Sequence, residues 1–177
     1  MKKREEPEHR LVYPGTELKA RPGDVLYSHK ISRSSLLVGH EGIVGEDYRI
    51  YHVNRWGKNG HADTLPAYLS RHLKREKLTI LRLEDSQAAL LAARWAETHI
   101  QEVEAYFYSR SLTDIKRNYC SKFVWQAYFF GSEGRINLTG RRFTEKNRKF
   151  ITYSAQTGLY TKTREYLTGM PAGKDKG

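Results

Sequence analysis

Cys120 is the only cysteine in the chain, and Asn118-Tyr119-Cys120-Ser121-Lys122-Phe123-Val124-Trp125 around it reads as the start of a buried helix. Asn118 has a side-chain oxygen suited to an N-cap, and Gly131 tolerates the left-handed backbone that closes a helix at C′. Cys120, Val124, Ala127 and Gly131 then share one face. A thiol in the first turn feels the positive end of the helix dipole, which favours thiolate. The chemistry available to it is attack on a carbonyl carbon, which also needs a base and a polar group to orient that base. A lone cysteine is ordinarily a small buried apolar residue, so its partners decide the matter.

Histidines supply candidates. Residues 36–44 read as a strand ending in Gly39-His40-Glu41-Gly42-Ile43-Val44, and 48–54 as a second strand containing His52. A three-residue loop of Gly45, Glu46 and Asp47 would pair Val44 with Tyr48 and set His40 opposite His52. Such a pair shares a sheet face, with Cβ atoms about 5 Å apart. Ile43, Tyr51 and Val53 fall on the other face. His61 follows in what reads as an exposed loop. A metal site built from His40, His52 and His61, with Asp63 nearby, is the weaker reading because the carboxylates lack a familiar ligand spacing. One cysteine excludes an intrachain disulfide and a Cys-based zinc site. No metal and no cofactor is expected.

These groups need a scaffold. Pro22-Gly23-Asp24 is turn chemistry before a strand at 25–28. Thr64 can cap a short helix over 65–73, and 78–83 is a β-branched strand. A long helix from Asp85 or Ser86 to about 104 carries Ala88, Leu91, Ala92, Trp95, Ala96, His99 and Val103 as its apolar stripe. A last strand is expected at 150–153. The fold class is α+β, an antiparallel sheet or small barrel packed against helices with the candidate nucleophile at a helix N-terminus.

A chain of 177 residues suits one domain. The expected division is an arm at 1–22 with little to bury, a catalytic domain at 23–168 and a frayed tail at 169–177. The 31 basic and 20 acidic residues give +11. Residues 135–164 hold eight Lys/Arg against the single Glu145, or +7, which suits a polyanionic encounter partner. The alternative function is therefore a non-catalytic basic nucleic-acid-binding protein. No RNA-recognition or zinc-finger signature supports it, and no stable nucleic-acid partner is expected. No apolar run approaches the ~20 residues of a membrane helix. The basic N-terminus has no apolar stretch behind it, so no signal peptide is visible. Cytoplasmic residence is the default expectation, with export by a non-standard route as the other.

Three motifs occur in order: Gly23-Asp24-Val25-Leu26-Tyr27, Gly39-His40-Glu41-Gly42-Ile43-Val44 and Tyr119-Cys120-Ser121-Lys122-Phe123-Val124-Trp125. Together they resemble the circularly permuted NlpC-type papain-like cysteine hydrolases of the YiiX/YaeF-like amidase group, over roughly residues 23–131. The resemblance implies Cys120 as nucleophile, His40 as general base and His52 at the third polar position. That position is commonly Glu in the permuted group, and histidine there fits the Cys-His-His variant of the unpermuted relatives. The oxyanion would be held by the Cys120 backbone amide and a donor such as Tyr27, with Tyr119 and Ser121 as flanking support. The implied reaction is cleavage of a peptide or acyl-amide bond through a thioester, or acyl transfer if the acceptor is not water. The implied substrates are peptidoglycan stem peptides or lipid-like molecules, acidic ones suiting the basic segment.

Overall fold

Alternating apolar residues in the first half of the chain build five of the six strands of one antiparallel sheet. The computed structural model describes residues 11–28, 40–55, 59–72 and 78–138, with the backbone of 160–163. The strands are β1 (Val25–Ser28), β2 (Glu41–Val44), β3 (Ile50–Val53), β4 (Gly60–Asp63), β5 (Leu78–Leu83) and β8 (Tyr160–Thr163). They lie in the order β4-β3-β2-β1-β5-β8. A short parallel pair, β6 (Ala105–Tyr106) with β7 (Arg117–Asn118), precedes the cysteine. The strand expected at 150–153, the 169–177 tail and most of the basic segment lie outside the described residues.

The two sheet faces have separate cores. Val25, Ile43, Tyr51, Val53, Leu81 and Leu83 pack under α2 (Ser86–His99) and α3 (Cys120–Gly131). Leu26, Val44, Ile50, Leu78 and Ile80 pack with Tyr68 of α1 (Leu65–Ser70). Residues 11–20, expected to bury little, belong to this second core: Tyr13 is fully buried and bonds Asp24 at 2.9 Å. Asp24 also accepts two bonds of 2.7 Å from Arg82 on β5. The Gly-Asp turn thus ties the 11–20 segment to β1 and β5. No helix among the described residues is long and apolar enough to cross a membrane.

The β2–β3 hairpin differs from the expected one. Val44 pairs with Ile50, Gly45 closes the loop by donating to Arg49 O at 2.8 Å, and Tyr48 adopts φ 61°. The loop is two residues longer than expected, so His40 is diagonal to His52 rather than opposite. Because two is the side-chain period, the faces are unchanged. Gly42 lies between them, and a Cβ there would sit 2.6 Å from Ile50 Cγ2 and 3.1 Å from Tyr68 Cε2.

Helix boundaries follow caps. Asp85 Oδ1 accepts from Ala88 N at 2.9 Å to start α2. That helix stops at His99 and tightens into a 3-10 turn, Ile100–Glu102, short of the expected 104. Thr64 caps α1. α3 packs on α2 over the small residues Ala88, Ala92 and Ala96. Gly131 is its last helical residue rather than C′, and a Cβ there would lie 2.7 Å from Leu91 O and 3.0 Å from Ala92 Cα. Its missing side chain therefore serves interhelical approach. The positive φ falls instead on Glu133 and Gly134.

Candidate active site

The approach to Cys120 is braced from within α3. Tyr119, extended at φ −148° and ψ 163°, is the N-cap and makes no side-chain cap bond. Asn118, expected in that role, is buried instead, accepting from Tyr119 N at 3.0 Å and donating to Gln126 Oε1 at 2.6 Å. Lys122 is fully buried, and its ammonium donates to the carbonyls of Ser111, Asp114 and Arg117 at 3.1, 2.7 and 2.6 Å. Gln126 adds a bond to Leu112 O at 2.7 Å. Two polar side chains of the helix thus hold the loop that delivers the cysteine, satisfying carbonyls that would otherwise be buried without partners.

Cys120 is 3% exposed. Burial, and then the Glu41 carboxylate, push its thiol up to about 12, against the backbone amides of Glu41, Ser121 and Cys120. The helix N-terminus does favour the thiolate, as expected, but desolvation and a like charge outweigh it. The resting sulfur is a neutral thiol. Tyr27 faces Glu41 across β1 and β2. Its phenol is raised by burial, then by Glu41 and Cys120, and Tyr106 is likewise raised by burial and then Cys120. Glu41, Tyr27 and Tyr106 therefore share the surroundings of the thiol. Tyr119 is buried and packs on Tyr108 at 5.0 Å between ring centroids, and Ser121 is buried beside the thiol.

His40 and Glu41 are consecutive, so their side chains leave opposite faces. The amide acting on the sulfur belongs to the peptide that joins them. The His40 ring turns toward α1, stacked on Tyr68 at 5.8 Å. Its Nε2 lies 2.9 Å from His52 Nδ1. His52 Nε2 is 3.0 Å from Asp63 Oδ2, and Asp63 takes a fork from Arg71 at 2.6 and 3.2 Å. Burial raises the Asp63 carboxyl, but bonds from Arg71 and His52 prevail and hold it below its usual range. Burial lowers His52 to about 4 despite Asp63. Burial also holds His40 well below its ordinary value, helped by the charges of His52, His72, Arg71 and His61.

The proton positions follow from the acceptor at the end of this line. An ionised Asp63 can only accept, so His52 carries its proton on Nε2 and offers Nδ1 as a lone pair. His40 must then donate from Nε2, which leaves His40 Nδ1 unprotonated and basic. Carboxylate and guanidinium thus set an imidazole tautomer two residues away in the chain of contacts.

His40 with His52, and Cys120 with Tyr27, are each brought together. Sequence reasoning overlooked Glu41, Arg71 and Tyr106, and it treated Asp63 only as a neighbour. Glu41 had a signal, since alternation in His40-Glu41-Gly42-Ile43 sends it to the cysteine face. Arg71 had none, because it meets Asp63 through the turn that ends α1. His61, expected in an exposed loop, lies in β4 directly opposite His52.

Comparison with known proteins places this fold. The crystal structure of the metalloprotein yiiX from Escherichia coli O157:H7 superposes with a TM-score of 0.50, covering 72% of this chain and 70% of that one at 21% identity. That likeness is one of fold. An uncharacterized 30.3 kDa protein of Bacillus thuringiensis is 27% identical over 136 residues, 68% of this chain. The chain spans about half (47%) of the length of that curated relative. The model of the family described as "Lipoprotein N-acylation protein LnsA-like" matches residues 12–143, from the start of the segment packed under the sheet to beyond α3. The chain belongs to this LnsA-like family.

Proposed function

We propose that this chain is a cysteine-dependent enzyme acting on acyl groups, with Cys120 as nucleophile, His40 as general base and His52 as the residue that orients it. In this reading its topology is that of the circularly permuted NlpC-type papain-like hydrolases. The observation that carries the proposal is the line Arg71–Asp63–His52–His40, which leaves a basic nitrogen on His40, the residue just before Glu41, whose backbone amide acts on the Cys120 sulfur.

With the thiol neutral, proton transfer accompanies attack. Cys120 Sγ bonds to the carbonyl carbon as its proton passes to His40 Nδ1, a transfer that requires the His40 ring, stacked on Tyr68 in this structure, to swing round the strand end toward the cysteine face. The amides of Cys120 and Ser121 and the Tyr27 hydroxyl are the donors for the oxyanion. Collapse breaks the bond to the leaving nitrogen or oxygen, which takes the proton from His40, and a thioester remains. An incoming amine or water gives its proton to His40, bonds to the acyl carbon and expels the sulfur, which is reprotonated. The family's description, lipoprotein N-acylation, favours a lipid-like acyl donor over a wall peptide.

The test is trapping. Wild-type protein is incubated with phospholipid or diacyl-lipopeptide vesicles, or with muropeptides, and its intact mass is read. The expected result is an acyl adduct on Cys120 from the lipid donors, absent in Cys120→Ala. Product formation that persists in Cys120→Ala would refute the assignment.

A further inference from the structure

We propose that His52, His61 and Asp63 form a binding site for one transition-metal dication of the zinc class. One ligand atom from each lies within 4.8 Å of the others. Adjacent strands supply them: His52 on β3 stands opposite His61 on β4, and Asp63, two residues on, returns to the same face. His52 Nε2 and Asp63 Oδ2 are 3.0 Å apart. Two ligands sharing an ion at bonds of roughly 2.1 Å are about 3.0–3.4 Å apart. This part of the site is already at ligand spacing.

His61 distinguishes a metal site from a hydrogen-bond cluster. Its ring stacks on His52 with centroids 5.2 Å apart and planes at 22°, yet its Nε2 is buried and has no hydrogen-bond partner among the described residues. A buried polar atom left unsatisfied costs about 1–3 kcal/mol. An ion among the three groups supplies the missing bond. Two imidazoles and a carboxylate are a familiar zinc donor set that leaves a fourth position open. Outer-shell contacts of the kind that orient metal ligands are in place, from His40 to His52 Nδ1 and from Arg71 to Asp63. The Arg71 charge opposes a dication, so the affinity expected is that of a reversible site rather than a structural cage.

Occupancy has a consequence for the reaction, which rests on the reading of His40 as base. An ion on His52 Nε2 requires the His52 proton to sit on Nδ1. His52 then donates to His40 Nε2, and the His40 proton moves to Nδ1. The number of protons is unchanged, but the nitrogen that should accept from the thiol is now filled. The ion would act as a reversible inhibitor.

The test is calorimetric titration of Zn2+ into full-length, metal-stripped Cys120→Ala protein, with bound metal counted by mass spectrometry. One ion per chain is expected. His61→Ala and the more conservative His61→Gln should each weaken binding by more than the roughly 10–100-fold typical of an outer-shell partner, while His99→Ala leaves it unchanged. Absence of saturable binding would overturn the site. So would parent-like affinity in folded His61→Ala or His61→Gln, or binding that requires Cys120. In the active wild type, Zn2+ should inhibit acyl-adduct formation and His61→Ala should relieve the inhibition. The titration reads the site even if Cys120 proves not to be the nucleophile, so the two proposals fail separately.

Discussion

The neutral resting thiol can be tested by the shape of a rate profile. Cys120 is pushed up to about 12 from an ordinary 9.0. At 1.36 kcal/mol per tenfold, this difference of 3 corresponds to roughly 4 kcal/mol against the thiolate. At pH 7 about one molecule in 10^5 would then carry thiolate. The assay is the second-order rate of iodoacetamide alkylation from pH 5 to 10.5, followed by intact mass. The logarithm of the rate should rise with a slope near one throughout and reach no plateau. Burial alone lowers every rate by a common factor and leaves the shape intact, so shape and magnitude separate accessibility from ionisation. Glu41→Gln removes the charge that adds to burial, and its profile should move to lower pH by roughly 1–2 units. A wild-type plateau below pH 8 would mean a preformed thiolate–imidazolium pair and would refute the reasoning. An unshifted Glu41→Gln profile would refute the role given to Glu41.

Other outcomes follow from single contacts. Asp63→Asn removes the obligatory acceptor that fixes the His52 and His40 tautomers, and should lower kcat of acyl transfer by about 10^2–10^4-fold with little change in KM. Equal kcat would contradict the tautomer argument. Gly42→Ala places a methyl 2.6 Å from Ile50 Cγ2 and should cost about 1–3 kcal/mol, read as a lower urea midpoint. Asp24→Ala leaves Arg82 and the Tyr13 hydroxyl without their shared acceptor and should cost about 3–5 kcal/mol. Lys122→Met removes the donor shared by three loop carbonyls, so amide exchange across 111–117 should accelerate while the β1–β5 amides stay protected.

Much of this arrangement was legible because it depends on period and punctuation. β1 and β5 appear at the residues expected of them, since each is a short apolar run next to a turn or a charge. The hairpin shows why face is easier to read than register. The loop was too short by two, yet His40 and His52 kept their side because the error was even. Glycine was harder, since its type does not reveal which of its properties is used. Gly131 looked like a helix stop, but its value is the space it leaves beside Leu91 and Ala92, which depends on a helix about 40 residues earlier in sequence.

The charge state of the thiol was misread for a related reason. Position in a helix is local, and the dipole argument from position alone gives a thiolate. Desolvation and the Glu41 carboxylate are tertiary, and they reverse the sign. The same logic changes the role of Asp63. In sequence it is merely close to His61, but β3–β4 pairing and the Arg71 fork make it the acceptor that decides where protons sit on His52 and His40. An acid two contacts from the proposed base can therefore matter more to the chemistry than the residues flanking the cysteine. A metal ion at His52 and Asp63 would act by undoing that one decision, because it replaces the proton the carboxylate holds in place.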